Sequence, residues 1–126
     1  ICCFYDCPVV LVIGDRAVCR ESRELLGDNI TTVEVKQGLS RRSARQIPPV
    51  RARRMIEAGA HAALTGNLAA IKPYKPGDPC TITVDLPNVE RTEDFRSRPG
   101  VEIEAGDMKA ISRADTWMQA WNQIWR

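Results

Sequence analysis

The sequence has no long apolar run and no leader-like opening. None of its hydrophobic stretches approaches the roughly 20 residues that a membrane-spanning helix needs, and no basic segment precedes an apolar one at its start. We therefore expect no membrane partner and a cytoplasmic protein. The chain begins at Ile1 rather than at methionine, and its first residues, ICCFY, are apolar. Because a free terminus is usually polar and frayed, we expect the sequence to be part of a longer protein.

The sequence is also poor in residues that form metal and catalytic sites. Its one histidine, His61, stands between alanines and has no orienting partner that can be named. Its five cysteines follow no zinc-binding spacing, and their odd number does not fit a disulfide framework, so we expect reduced thiols. Ser40 and Ser43 lack the context of a nucleophile elbow. The residues alone therefore predict neither a catalytic residue nor a metal ligand.

What the sequence does contain is an uneven distribution of positive charge. Seven of its 18 Lys and Arg residues fall within residues 36–54, the basic block, which contains no acidic residue. The block has no aromatic side chain on which a base could stack, and it resembles no nucleic-acid-binding module. We expect a solvated or subunit-contacting face and no nucleic-acid partner. A small-anion or carboxylate site remains open, and a non-catalytic polyanion-binding or assembly module is the alternative function.

Residues 1–46 are predicted to form a β-α-β unit, the repeating unit of α/β folds. Residues 8–15 form an apolar run that indicates a strand buried on both faces. A helix is expected at 16–26, and a β-branched, alternating strand at 30–36. The core-facing residues of the helix would be Val18, Leu25 and Leu26. The sheet is therefore expected to be parallel or mixed.

Asp15 is the first candidate functional residue. It follows Gly14 at the predicted carboxyl end of the first strand, which is where open α/β sheets bind ligands. Its position immediately before a helix is equally typical of a helix N-cap. Both interpretations stay open on the sequence alone.

Residues 47–126 are predicted to form an α+β portion. A helix starts at Pro48-Pro49 and runs to about Leu64, followed by a Pro- and Gly-rich loop at 67–79. The buried stripe of this helix would comprise Ala52, Ile56, Ala60, Ala63 and Leu64. A strand with one solvent-exposed face is expected at 81–86. Gly106-Asp107 suits a tight hairpin turn. The terminal helix, 115–125, carries Trp117, Trp121 and Trp125, which we expect to be core or an oligomer interface.

The order of these segments resembles the C-terminal half of the zinc D-aminopeptidases associated with bacterial dipeptide-transport operons. The resemblance rests on FYDCPVVLVIGDRAVCRESRELLG, ITTVEVKQGLSR, a helix started by proline, KPYKPGDPCTITVDL, RPGVEIEAG and SRADTWMQAW. It covers essentially residues 4–121. The combination of YDxPVxxVxGD with VKQxxSR carries most of its specificity.

The resemblance implies a binuclear zinc hydrolase that removes D-amino acids from the amino ends of short peptides. Such an enzyme would be a large homo-oligomer with active sites facing an internal chamber. Two metals would activate a bridging water and polarise the scissile carbonyl. The metal ligands of the family, beginning with an Asp-x-Glu-Gly motif, lie upstream of the matched stretch. The resemblance therefore implies no metal on residues 1–126, which alone would be inactive scaffold.

The resemblance also draws attention to two cations. Lys36 and Arg41 match the family pattern, as does the Gly14-Asp15 turn. Either cation is expected to contact a peptide carboxylate or a neighbouring subunit, because lysine and arginine both pair with carboxylates. Asp15, Lys36 and Arg41 are therefore the candidate contact residues.

Overall fold

A computed structural model describes residues 1–104 and 108–125, and the chain divides into two compact units, Ile1–Tyr74 (unit 1) and Lys75–Arg126 (unit 2). In chain order the elements are β1 (Leu11–Asp15), α1 (Arg16–Leu26), β2 (Thr31–Ser40), β3 (Ser43–Gln46), α2 (Pro49–Thr65), β4 (Cys80–Asp85), α3 (Val89–Arg96), β5 (Val101–Ile103), β6 (Lys109–Ala114) and α4 (Trp117–Trp125). Short 3₁₀ turns occur at Cys2–Tyr5 and Leu68–Ala70. Among the described residues, no helix is long and apolar enough to span a bilayer.

Unit 1 contains a mixed sheet, as predicted. Its strand order is β1-β2-β3, with β1 parallel to β2 and β3 antiparallel to β2. The strand expected at 30–36 is too short: β2 continues to Ser40 and turns back into β3, a strand that was not predicted. The Ser40 and Ser43 hydroxyl oxygens lie 2.7 Å apart across this two-residue turn. The turn contains neither Gly nor Asn, so it lacks the usual hairpin signal.

The two helices of unit 1 cover opposite faces of its sheet. Arg16 of α1 forms an ion pair with Glu34 of β2, whereas a Cβ atom at Gly59 of α2 would overlap a methyl group of Val33. Successive residues of a strand point to opposite faces, so Val33 and Glu34 identify the two sides. The α/β fold is confirmed. Because α2 packs on this sheet, unit 1 continues beyond the predicted β-α-β unit to Tyr74.

The predicted core face of α1 is wrong in two of its three positions. Val18 and Leu25 are 39% and 58% exposed, and the inward-facing residues are Cys19, Ser22 and Leu26. The reason lies in β2: Arg16 pairs with Glu34, and Arg23 donates a hydrogen bond to Thr32 Oγ1. Both arginines lie on the side of α1 next to β2, which leaves Val18 and Leu25, roughly half a turn around the helix axis, on the other side.

Two further burial predictions need correction. β1 was expected to be buried on both faces, but Ile13 is 43% exposed because β1 is an edge strand. Leu64 of α2 was placed in the buried stripe, but it is 67% exposed. The close approach of Gly59 to the sheet sets the buried line of α2, and Met55 joins that line instead.

Unit 2 is built on an antiparallel sheet of order β4-β6-β5. Its core contains Leu86, Phe95, Ala110 and Ile124. On β4, Ile82 and Val84 pack against this core while Thr81 and Thr83 are exposed. The prediction that one face of this strand is solvent-exposed is therefore confirmed. β5 and β6 pair as the hairpin prediction requires, although the turn at Gly106-Asp107 lies outside the described residues.

Helix α3 was not predicted. Its N-cap is Asn88, whose Oδ1 accepts a hydrogen bond from the Arg91 backbone N–H at 3.0 Å. Along the helix only Thr92 and Phe95 are buried, so the apolar periodicity is too weak to identify a helix from sequence.

The three tryptophans of α4 are not the core of unit 2. The buried residues of the helix are Ala120 and Ile124, whereas Trp125 is 51% exposed. The indoles lie against each other along one side, with ring centroids 5.1 Å apart for Trp117 and Trp121 and 5.5 Å apart for Trp121 and Trp125. The small Ala120 lets α4 approach the sheet closely. The indoles therefore lie beside the surface through which α4 contacts the sheet.

Candidate functional site

Asp15 caps helix α1. It ends β1, and its Oδ1 accepts a hydrogen bond from the Val18 backbone N–H at 2.9 Å. The residue before it must be small, because a Cβ at Gly14 would overlap the Val18 side chain. One carboxylate oxygen of Asp15 is thus engaged in holding the helix, which supports the cap interpretation left open by the sequence.

The sheet brings Asp15 and Lys36 together. The two residues occupy paired positions across β1 and β2, at a local irregularity of the register between Gly14 and Asp15. On its other side Lys36 pairs with Gln46 of β3. The candidate pair therefore lies at the carboxyl end of β1, at the edge of the sheet where open α/β folds place ligands.

Arg41 lies away from this pair, at the tip of the β2–β3 hairpin. We call residues 36–46 the basic arm. Four residues of extended chain, roughly 13 Å, separate Lys36 from Ser40 at the start of the turn. Within the arm every residue except Gln37 is exposed, and its cations are Lys36, Arg41, Arg42 and Arg45. The structure thus brings Asp15 and Lys36 together but not Arg41.

The cations of the basic block form fewer ion pairs than the arginines of helices α1 and α3. On α1 and α3, arginines form ion pairs, including Arg16 with Glu34 at 2.9 Å and Arg96 with Glu93 at 3.1 Å. The four cations of the arm form no ion pair with any residue in 1–104 or 108–125, and the same holds for Arg51, Arg53 and Arg54 of α2. Seven solvent-facing cations are therefore available to carboxylates outside the described part of the chain.

This arrangement can bind carboxylates but holds no catalytic constellation. Ser40 and Ser43 hydrogen-bond each other in the turn, and His61 is exposed on α2. Within the described ranges, no group of three or more His, Cys, Asp or Glu side chains could hold a metal ion. A zinc pair therefore does not fit the residues that the structure describes. The described cysteines are all free thiols, of which Cys19 and Cys80 are buried.

One long-range hydrogen bond could not be predicted from the sequence. Asp78, in the loop before β4, accepts a hydrogen bond on Oδ1 from the backbone N–H of Trp117 at 3.1 Å, at the start of α4. The two residues are 39 positions apart, so no local pattern links them. Asp78 falls within KPYKPGDPCTITVDL, the stretch that carries part of the family resemblance.

Comparison with known proteins gives one consistent result. The D-aminopeptidase family model matches residues 1–125. The D-aminopeptidase of Bacillus subtilis (strain 168) is 31% identical over 121 residues, which is 96% of this chain and 43% of the relative. The solved structure of Zn-dependent D-aminopeptidase DppA from Bacillus subtilis, described as a self-compartmentalizing protease, matches with a TM-score of 0.85 and 30% identity. That match covers 97% of this chain and 44% of the solved one, so the chain spans less than half the length of these relatives.

Proposed function

Because the chain belongs to the D-aminopeptidase family, we propose that it is the C-terminal part of a binuclear zinc D-aminopeptidase acting in the cytoplasm. The complete enzyme would remove D-amino acids from the amino ends of short peptides. The observation that carries this proposal is the family match over residues 1–125, together with the similarity in fold to a Zn-dependent D-aminopeptidase. The substrate class and the metal are those named for that relative.

We assign the catalytic zinc site to the portion of the enzyme outside residues 1–126. The described residues supply no metal-binding cluster, and the region that matches the family lacks the Asp-x-Glu-Gly motif. When bound, zinc would supply Lewis acidity and an activated water. The residues present here would support that site as scaffold and would not hydrolyse peptides by themselves.

We assign the basic arm to contact between subunits of a homo-oligomer. Its cations are exposed and unpaired within the described residues, and arginine is enriched at protein interfaces. The solved relative is described as self-compartmentalizing, which requires subunits to enclose a chamber. Lys36 is the arm residue that pairs in register with Asp15 at the carboxyl end of β1, and it is the candidate contact for a peptide carboxylate.

A cleavage assay on enantiomeric peptides tests the proposed activity. The polypeptide to be assayed joins residues 1–126 to the part of the Bacillus subtilis enzyme that the match leaves uncovered. We expect it to cleave a peptide with an amino-terminal D-residue at least about 100-fold faster than its L-enantiomer, because a misplacement of about 1 Å at the reacting carbonyl costs on the order of 100-fold in rate.

The assay has two controls. The intact Bacillus subtilis enzyme shows that the conditions support cleavage, and residues 1–126 alone should show none. Equal turnover of the two enantiomers, or no turnover by a folded joined polypeptide, would count against the proposed activity.

A further inference from the structure

The 3₁₀ turn at Cys2–Tyr5 ends in a Schellman motif. The N–H of Cys7 donates a hydrogen bond to the carbonyl oxygen of Cys2 at 3.1 Å, and the N–H of Asp6 donates one to the carbonyl oxygen of Cys3 at 3.2 Å. These nested bonds, together with the left-handed conformation of Asp6 (φ 58°, ψ 20°), define that motif. Cys2 and Cys7 therefore occupy the two positions whose side chains frequently contact each other across a Schellman turn.

The outer hydrogen bond of the motif limits the distance between the two cysteines. With an N···O distance of 3.1 Å and standard backbone geometry on either side, the Cα atoms of Cys2 and Cys7 are at most about 7 Å apart, and any bend along the path brings them closer. Disulfides span Cα–Cα distances of about 4.4–6.8 Å and need Cβ atoms that converge, as they do at these two positions of the motif. The turn thus holds the two thiols within bridging reach.

The local sequence keeps the turn in this form. Aspartate is one of the few residues besides glycine that adopt the left-handed conformation readily, and Asp6 takes that position here. Pro8 restricts the residue before it, Cys7, to extended conformations, so the helical turn cannot continue through Cys7. The approach of the two cysteines is therefore built into residues 2–8.

The pair is accessible to a soluble reagent. Cys2 and Cys7 are exposed, whereas Cys19 and Cys80 are buried. Cys3 is half-buried, and its position in the 3₁₀ turn directs its side chain about 120° around the axis from that of Cys2. Among the residues that the structure describes, no three Cys, His, Asp or Glu side chains could hold a metal ion. The chemistry that the cluster offers is that of two neighbouring exposed thiols.

We propose that Cys2 and Cys7 are a redox-active pair, which a small-molecule disulfide converts reversibly into an intramolecular disulfide. One cysteine thiolate attacks the S–S bond of the reagent, forms a mixed disulfide and releases the first small thiolate. The second cysteine thiolate attacks the mixed disulfide, closes the bridge and releases the second small thiolate. The two cysteines lose two electrons, the reagent gains them, and the two protons of the cysteines pass to the released thiols. The bridge locks the turn that leads into β1, and this inference does not depend on the proposed function.

Oxidation with glutathione disulfide, followed by trypsin digestion and mass spectrometry, tests the pair. The peptide that ends at Arg16 has no earlier trypsin site and contains Cys2, Cys3 and Cys7. It is expected to lose two hydrogen atoms in mass, and the same loss is expected in the matched control Cys3→Ser. Cys2→Ser and Cys7→Ser should instead stop at the mixed disulfide with glutathione, with at least about tenfold less intramolecular disulfide. A bridge retained in either of these variants, or lost in Cys3→Ser, would overturn the proposal.

A comparison of the native and urea-unfolded chain gives an independent measurement. At one fixed ratio of reduced to oxidised glutathione, the ratio of bridged to reduced Cys2–Cys7 pair is expected to be at least about tenfold higher in the native chain, because the turn raises the effective concentration of one thiol at the other. Excess reduced glutathione should reopen the bridge. Equal ratios in the two conditions, or a bridge that reduced glutathione cannot open, would contradict a reversible pair held by the native turn.

Discussion

Chelation of zinc is expected to abolish D-peptide cleavage by the joined polypeptide, with a loss of at least about 1,000-fold. The reason is that a metal-bound water is a far stronger nucleophile at neutral pH than bulk water, and the scissile carbonyl would lose its Lewis acid. Adding zinc back should restore the rate, because the solved relative is Zn-dependent. The measurement is initial rate against chelator concentration, followed by metal addition.

This prediction has a matched control within the family. The intact Bacillus subtilis enzyme, a Zn-dependent relative, should lose and regain activity in parallel. Full activity of the joined polypeptide after exhaustive chelation would show that the chemistry does not depend on a zinc pair.

Replacing Ile124 by alanine is expected to destabilise unit 2 by about 2–5 kcal/mol. Ile124 is fully buried and packs in the core with Leu86, Phe95 and Ala110. Its carbonyl also accepts a hydrogen bond from Arg98, whose guanidinium lies 4.4 Å from the Phe95 ring centroid. Truncation of Ile124 would leave a cavity that these neighbours cannot fill. Urea unfolding followed by tryptophan fluorescence and circular dichroism gives the change in free energy.

The adjacent residue provides the control. Trp125 is 51% exposed and contacts Trp121 at its side. Trp125→Ala is therefore expected to cost only about 1 kcal/mol, the scale of an aromatic pair. A larger loss for Trp125 than for Ile124 would mean that the indole stripe, and not the aliphatic face of α4, holds the unit together.

Local signals predicted α1 well. The helix was expected at 16–26 and runs over Arg16–Leu26, because Asp15 caps its start and Gly27 ends it with a positive φ of 91°. The start of α2 at Pro49 is equally local, since proline suits the first turn of a helix. In both cases the information lies within one or two residues of the boundary.

Nonlocal contacts explain what the sequence did not predict. The side of α1 that faces β2 depends on packing against residues distant in the sequence, so Val18 and Leu25 could not be placed from helical spacing. The hairpin turn between β2 and β3 is closed by a serine pair that has no strong turn signature. Burial depends on which surfaces meet, and periodicity alone does not contain that information.

The sequence left two interpretations of Asp15 open, and the hydrogen bond from the Val18 N–H supports the helix cap. Parallel pairing accounts for its register with Lys36, while the contact roles of Asp15, Lys36 and Arg41 stay predictions. The position of Arg41 at the tip of an arm required the unpredicted strand β3. The hypothesis of a zinc D-aminopeptidase came from the resemblance to the family, which the family match over residues 1–125 bears out, and not from any single residue pattern.

The zinc content of residues 1–126 tests the account most directly. After equilibrium dialysis against micromolar zinc and removal of loosely held metal, we predict that the isolated chain retains no zinc, while the joined polypeptide retains two ions per chain. Two tightly held zinc ions on the isolated chain would contradict the account, because the catalytic metal site would then lie in the part of the enzyme assigned here to scaffold.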